Sequence, residues 1–240
     1  MRASWADIRN PGRCRRRPAE VTLGDDVVDA ARGRTGAVSL LGASGRSDVP
    51  RAVVPPSGVR DYEIRDYETA DEVSWLRCRV LGFVTTSSYD DVWQAKRRAD
   101  LELVALHDGV VVAALDVSVP GAEATIQTVV VHPDYQGRGI ATALLGEALR
   151  RLERCGVRVL DASTREDEPA LGWFARNGFL ETSRYLHVYA SADEVGTVLN
   201  AKYGLTPVGA FLHARIEREA ELRQRFERVH VCRRMVRMIG

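Results

Sequence analysis

Apolar and polar residues follow a strand-like pattern in the middle of the chain. Two apolar segments within 101–119 flank His107-Asp108-Gly109, and Asp-Gly is a preferred dipeptide of two-residue hairpin turns. A third segment, about 123–131, follows Pro120-Gly121. The pattern therefore predicts three consecutive antiparallel strands.

The next segment has the period of an amphipathic helix. A helix from about Gly139 to Arg154 places on one face Ile140, Leu144, Ala148 and Leu152. Gly156 ends it, and 157–163 returns as a strand. Since strand–helix–strand crossovers are right-handed and join parallel strands, we expect 157–163 to lie parallel to 123–131.

Weaker patterns predict the other elements of the domain. In chain order they are a strand at 61–67, a capping box of Thr69 and Glu72 opening a helix, a short helix at 89–98, a helix at 168–177, a strand at 182–190, a capping box of Ser191 and Glu194 opening a helix to about Tyr203, a helix at 214–226 and a strand at 228–237.

Residues 1–58 lack this periodicity. They contain an arginine cluster at 13–17 and end in a Pro/Gly segment at 54–58. We interpret them as a disordered leader and linker, followed by one domain at 59–240. A transit peptide or a nucleic-acid-binding arm are the alternatives for the arginine cluster, and interspersed acidic residues argue against the former.

Composition narrows the possible functions. The 34 basic and 33 acidic residues nearly cancel, so no overall charge favours nucleic acid or a membrane. The four cysteines lie far apart, without metal-ligand spacing, and we expect no metal. No apolar segment approaches the length of a membrane span or resembles a signal peptide. We therefore expect a cytoplasmic protein.

Two glycines stand where the central helix begins, in 132-HPDYQGRGIATALL-145. They leave backbone N–H groups accessible at a helix N-terminus, which favours an anion. A dinucleotide site with Asp161 as the ribose-binding acid is one interpretation. Five residues separate the preceding strand from Gly137, and that strand belongs to an antiparallel series. Both features argue against a dinucleotide site.

The segment 129–145 resembles the acyl-CoA-binding motif of the GCN5-related N-acetyltransferase (GNAT) family. The family signature Q/R-x-x-G-x-G/A is met by Gln136, Gly139 and Ala141, and 173-WFARNGFLET-182 resembles a second family motif. The resemblance implies an α/β acyl-CoA N-acyltransferase fold with a mixed seven-stranded sheet and a cleft between two parallel strands. The segment at about 191–226 is then a helical insert before the last strand, which either walls the acceptor pocket or packs a homodimer.

The resemblance also implies acetyl-CoA as cosubstrate and transfer of its acetyl group to a primary amine of a small molecule or peptide. The residues that it implies for cofactor binding are Val129, Val130, Val131, Gln136, Gly137, Arg138, Gly139, Ile140, Ala141, Thr142, Asp167 and Phe174. The backbone of the three valines would line the pantetheine arm. Asp167 has a second interpretation, as a cap of the helix that follows.

Two positions depart from the family pattern. The usual base position falls near Thr125, which cannot act as a base, so Glu123 on the same strand face is the catalytic candidate. The tyrosine that usually protonates the leaving thiolate is Phe174 here, and Tyr189 is a possible substitute. A non-catalytic acyl-CoA-binding module is therefore the alternative function. Candidates to face the acceptor are Tyr203, Phe211 and His213.

Overall fold

An eight-stranded mixed sheet organises residues 61–240, the part of the chain that this computed structural model describes. The predicted leader at 1–58 lies outside the described residues. The strands are β1 (Glu63–Asp66), β2 (Leu101–His107), β3 (Val110–Ser118), β4 (Glu123–Val131), β5 (Val159–Thr164), β6 (Leu180–Ala190), β7 (Ala210–Arg215) and β8 (Arg228–Met238). Their order in the sheet is β1-β2-β3-β4-β5-β8-β6-β7.

Five α-helices connect these strands. They are α1 (Glu72–Phe83), α2 (Ile140–Arg154), α3 (Glu168–Arg176), α4 (Ala192–Val195) and α5 (Glu219–Arg225). Short 3₁₀ turns lie at Thr69–Asp71, Pro133–Tyr135 and Ile216–Arg218. Among residues 61–240, no helix has the length and apolar character needed to cross a membrane.

The central predictions are confirmed. Asp108 and Gly109 have φ values of 49° and 76°, as a two-residue hairpin turn between β2 and β3 requires. The third predicted strand is β4, and the amphipathic helix is α2. The strand after it, β5, pairs in parallel with β4.

The predicted helix at 89–98 is wrong. No helix follows α1 before β2, because tertiary contacts hold this segment in turns and extended backbone. The Lys96 ammonium is buried 2.5 Å from Glu102 Oε1, and the Trp93 ring stacks on Trp75. These long-range contacts outweigh the local helical pattern.

The first capping box is displaced by one residue. The Glu68 N–H donates to Asp71 Oδ2 at 2.8 Å, whereas Glu72 accepts from the Lys96 N–H. The second box is confirmed, since the Ser191 N–H donates to Glu194 Oε2 at 2.8 Å.

The insert contains a strand that the sequence analysis missed, so the sheet has eight strands instead of seven. The helix after Ser191 ends at Val195, and α5 covers only part of the predicted 214–226. Between them β7 pairs antiparallel with β6 at the sheet edge. Its side chains alternate between exposed and half-buried, which is the two-residue period of an edge strand.

The helices pack against both faces of the sheet. The α2 side chains pack with Leu115 and Leu160 on one face, and α4 and α5 pack on the same face around Leu186. Trp75 of α1 packs on the opposite face, over β3 and β4. On that second face, no described helix covers β5, β8, β6 and β7. We call this region the open face; its side chains include Tyr185, His187, Tyr189, His213 and His230.

Candidate active site

A gap opens between the two parallel strands. β4 and β5 pair over four residues, from Glu123–Val159 to Ile126–Ala162, and then separate. β4 continues beside β3 as far as Val131. The His132 N–H donates to Val112 O on the β3 side. Because backbone groups alternate along a strand, the N–H groups of Val131 and Val129 point to the other edge, into the gap.

The glycine turn lies where this strand edge ends. Gly137 and Gly139 have φ values of 75° and 76°, in the left-handed region that favours glycine. A Cβ at either position would meet nothing within 4 Å, so the space above the turn is open. In the first turn of α2 the N–H groups of 140–142 have no intrahelical acceptor. The turn thus presents donors and a positive dipole end to an anion.

The side chains of Gln136 and Arg138 stabilise the turn by hydrogen bonds to neighbouring residues. The Arg138 guanidinium donates to Asp134 O at 2.9 Å and to Asp61 Oδ2 at 3.3 Å. Gln136 Nε2 donates to Val131 O at 3.2 Å. These bonds direct both polar side chains toward neighbouring protein groups, and the cofactor contacts of Gln136 and Arg138 stay predictions.

Most of the other predicted cofactor residues on β4 and α2 pack their side chains into the protein. The side chains of Val130 and Ile140 are buried in the core, and Val129 and Val131 pack against it. Ala141 is half-buried in the first turn of α2. The Thr142 hydroxyl accepts from Trp173 Nε1 at 3.1 Å and so ties α2 to α3.

Phe174 occupies the hydrophobic core. Its side chain is 2% exposed and makes edge-to-face contacts with Phe179 and Trp173. The predicted cofactor contact is therefore not supported, because the ring packs among apolar side chains away from open space. Because phenylalanine carries no hydroxyl, the Phe174 ring can be buried without leaving an unsatisfied polar group in the core.

Asp167 precedes α3 but does not cap it. Its Oδ1 accepts from the Ser87 N–H at 2.9 Å and its Oδ2 from the Ser87 hydroxyl at 2.7 Å. This link takes the place of the predicted side-chain cap, and the cofactor contact of Asp167 stays a prediction. Asp167 instead holds the segment after α1 against the end of β5.

Glu123 lies at the closed end of the parallel pair. It is the exposed first residue of β4 and stands three residue pairs before Ile126, where the strands separate. At about 3.3 Å per residue, this places it about 10 Å from the start of the gap. Its position does not support a role as the base there.

The structure brings together a group of residues that sequence analysis mostly missed. Arg165 follows β5 and donates from Nε to His187 Nδ1 at 3.2 Å, and it also donates to Ser87 O and to the Tyr189 hydroxyl. Arg228 stacks on the Tyr189 ring, 3.9 Å from its centroid. No local sequence motif indicates this cluster, because its members come from four separate segments of the chain.

Imidazole and aromatic rings continue from this cluster across the open face. The His187 and His213 rings stack with centroids 4.9 Å apart, and Phe211 packs against both. Burial, together with the nearby Arg165, lowers the pKa of His187 to about 3. Tyr203, by contrast, is 95% exposed and lies outside these contacts.

Tyr189 is held by two guanidinium groups. Burial raises the pKa of its phenol, and the positive charges of Arg165 and Arg228 act in the opposite direction. Its ring also contacts Phe211.

Among residues 61–240, no group of three or more metal-binding side chains could hold a metal ion.

Comparison with known proteins identifies the family. The model of the acetyltransferase (GNAT) family matches residues 63–179. Over 97 residues, 40% of this chain, the sequence is 31% identical to an acetyltransferase of Pectobacterium atrosepticum, of which it covers 69%. Over the same length it is 32% identical to one of Sodalis glossinidius, of which it covers 68%.

Among solved structures, the ribosomal-protein-S18-alanine N-acetyltransferase of Escherichia coli aligns with a TM-score of 0.49 and 19% identity, over 75% of this chain and 94% of that one. The residues matched by the family model include β4, the glycine turn and β5. The chain belongs to the GNAT acetyltransferase family.

Proposed function

We propose that the gap between β4 and β5 binds acetyl-CoA and that the enzyme transfers the acetyl group to a primary amine of a small molecule or peptide by direct attack. One observation carries the proposal: the edge of β4 that separates from β5 is followed, after one short turn, by two left-handed glycines at the start of a 15-residue helix. A pantetheine arm with amide groups and a pyrophosphate matches these two features in the same order.

The residues present fit this cosubstrate. N–H groups of 140–142 would hold the pyrophosphate, and the open space above Gly137 and Gly139 leaves room for its oxygens. The backbone of Val129 and Val131 would pair with the pantetheine amides. Bound acetyl-CoA supplies an activated thioester, from which CoA leaves as the thiol when an amine attacks.

The amine must be neutral to attack. For a lysine-like amine with a pKa of about 10.4, deprotonation at pH 7 costs about 4.6 kcal/mol, against about 1–1.4 kcal/mol for an α-amino group. A base or a desolvating pocket is therefore needed more for a lysine-like amine than for an α-amino group.

A non-catalytic acyl-CoA-binding module is the second candidate. It is favoured by the position of Phe174, which offers no proton to a leaving thiolate. General acid catalysis typically contributes about 10²–10⁴-fold, so its loss slows transfer without making it impossible. Release of CoA in the presence of an amine distinguishes an acetyltransferase from a module that only binds acyl-CoA.

Calorimetric titration with acetyl-CoA, with NADH as the control ligand, tests the binding step. We expect micromolar affinity for acetyl-CoA and no response to NADH. Absence of heat with acetyl-CoA, from folded protein, would contradict the proposal. Release of CoA thiol is then measured with a panel of primary amines. Binding without thiol release for any amine would favour the non-catalytic module.

A further inference from the structure

We propose that Arg165 binds a carboxylate of the acceptor, so that this enzyme acetylates amines that also carry a carboxylate group. The inference rests on the proposed function for its reaction, but the binding site itself can be tested without turnover.

Arg165 follows β5 at the end where β5 separates from β4. Pairing of β4 and β5 ends at Ala162, and Arg165 lies three residues further along the separating strand. At about 3.3 Å per residue it is about 10 Å beyond the point of separation. Its side chain extends from the end of β5 to His187 and Tyr189 of β6, so the guanidinium lies on the open face.

Arg165 forms no ion pair with any carboxylate in residues 61–240, unlike other arginines around this end of the sheet. Arg228 binds both oxygens of Asp90, at 2.6 and 2.7 Å, and Arg234 binds Asp161 at 2.6 Å. The adjacent carboxylate, Glu166, is directed to Arg223. The Asp90 carboxylate interacts electrostatically with Arg165, but its direct ion pair is with Arg228. An anionic ligand would give the partly buried Arg165 guanidinium a direct ion pair of its own.

The donors around Arg165 also suit a carboxylate. A guanidinium has five N–H groups, and the three bonds to Ser87, His187 and Tyr189 leave two unused. The Tyr189 oxygen accepts from Arg165, so its own proton remains available. A pair of N–H groups with a neighbouring hydroxyl proton matches the two oxygens of a carboxylate.

Rings beside Arg165 would contact the carbon skeleton of the acceptor. His187, Tyr189, Phe211 and His213 form continuous ring contacts, and Phe211 is 46% exposed. The low pKa of His187 keeps its ring neutral at pH 7. An acceptor with an apolar or aromatic body and a carboxylate would therefore meet matching groups.

The test compares two amines that differ only at the acid, 4-(aminomethyl)benzoate and 4-(aminomethyl)benzamide. Each is titrated into the full chain, with and without coenzyme A, while the side-chain Nε–H signal of Arg165 is followed by NMR. We expect the carboxylate to bind at least ten-fold more tightly and to shift that signal. Equal binding of the two compounds, or binding of neither, would overturn the proposal.

Variants separate Arg165 from general charge effects. Arg165→Gln should abolish the preference for the carboxylate, whereas Arg154→Gln, on exposed α2 surface, should retain it. Arg165→Lys keeps the positive charge but loses the planar pair of N–H donors of the guanidinium, so its preference for the carboxylate should be intermediate. A preference that survives in Arg165→Gln would overturn the proposal, as would tighter binding of inorganic phosphate than of the benzoate. Acetyl-CoA binding, measured separately, shows whether any failure belongs to the proposed function instead.

Discussion

The carboxylate of Asp167 binds Ser87 through both of its oxygens, at 2.9 Å to the N–H and 2.7 Å to the hydroxyl. Ser87 O in turn accepts from Arg165 and from Arg228. The segment after α1 is thereby fixed to the ends of β5 and β8, beside the gap. Residues that are far apart in sequence thus form one edge of the candidate active site.

Asp167→Ala should lower the free energy of unfolding by about 1.5–3 kcal/mol, since a hydrogen bond to a charged group contributes that amount. Urea denaturation measures the change. Ser87→Ala removes only the hydroxyl bond and should cost less. Faster amide hydrogen exchange at 84–91 is expected in Asp167→Ala, and unchanged exchange there would contradict the anchoring role.

Gly139→Glu should abolish acetyl-CoA binding, because a carboxylate would enter the open space above the turn. The variant also places a non-glycine residue at a φ of 76° and should lose about 1 kcal/mol of stability. Gly146→Glu is the matched control, since a Cβ there also meets nothing within 4 Å but lies on the exposed side of α2. Calorimetry on both variants makes the comparison. Equal affinity for acetyl-CoA would remove the basis of the proposed site.

The buried pair of Asp116 and Lys96 should make stability depend on pH. Burial raises the pKa of Asp116 to about 7 against the lowering effect of Lys96, and the negative charge of Glu102, which pairs with the same ammonium, adds to the rise. A carboxyl whose folded-state pKa is raised stabilises the fold fully below its unfolded pKa of about 3.9, and this contribution disappears as the pH rises through 7.

Asp116→Asn should remove that dependence. Relative to the variant, the wild-type protein should lose free energy of unfolding between about pH 4 and pH 7. Denaturant titrations of both proteins across this range measure the difference. A difference that stays constant with pH would show that Asp116 titrates at its ordinary value.

His187 should remain neutral down to about pH 3, because burial and the nearby Arg165 both disfavour its charged form. NMR titration of its ring protons measures this pKa. Arg165→Gln should raise it by removing the positive charge, while burial keeps it below the usual 6.5. An unchanged pKa in Arg165→Gln would mean that burial alone accounts for the shift.

Where sequence analysis erred, long-range contacts replaced local preferences. The segment 89–98 has helical spacing, but burial of Lys96 against β2 and β3 holds it extended. Asp167 has the sequence position of a helix cap, yet Ser87 takes both of its oxygens. In each case the deciding partner lies too far away in sequence for a local pattern to indicate it.

The sequence by itself determined the hairpin, the parallel crossover, α2 and the glycine turn, because each depends on a local period or on a backbone conformation that glycine favours. It also indicated the family through that turn. Only the tertiary structure decided that Phe174 is core, that Glu123 lies away from the gap, and that Arg165 meets His187 and Tyr189. Those outcomes depend on strand order and register, which place β8 between β5 and β6. Such pairing joins segments far apart in the chain, and no local pattern specifies it.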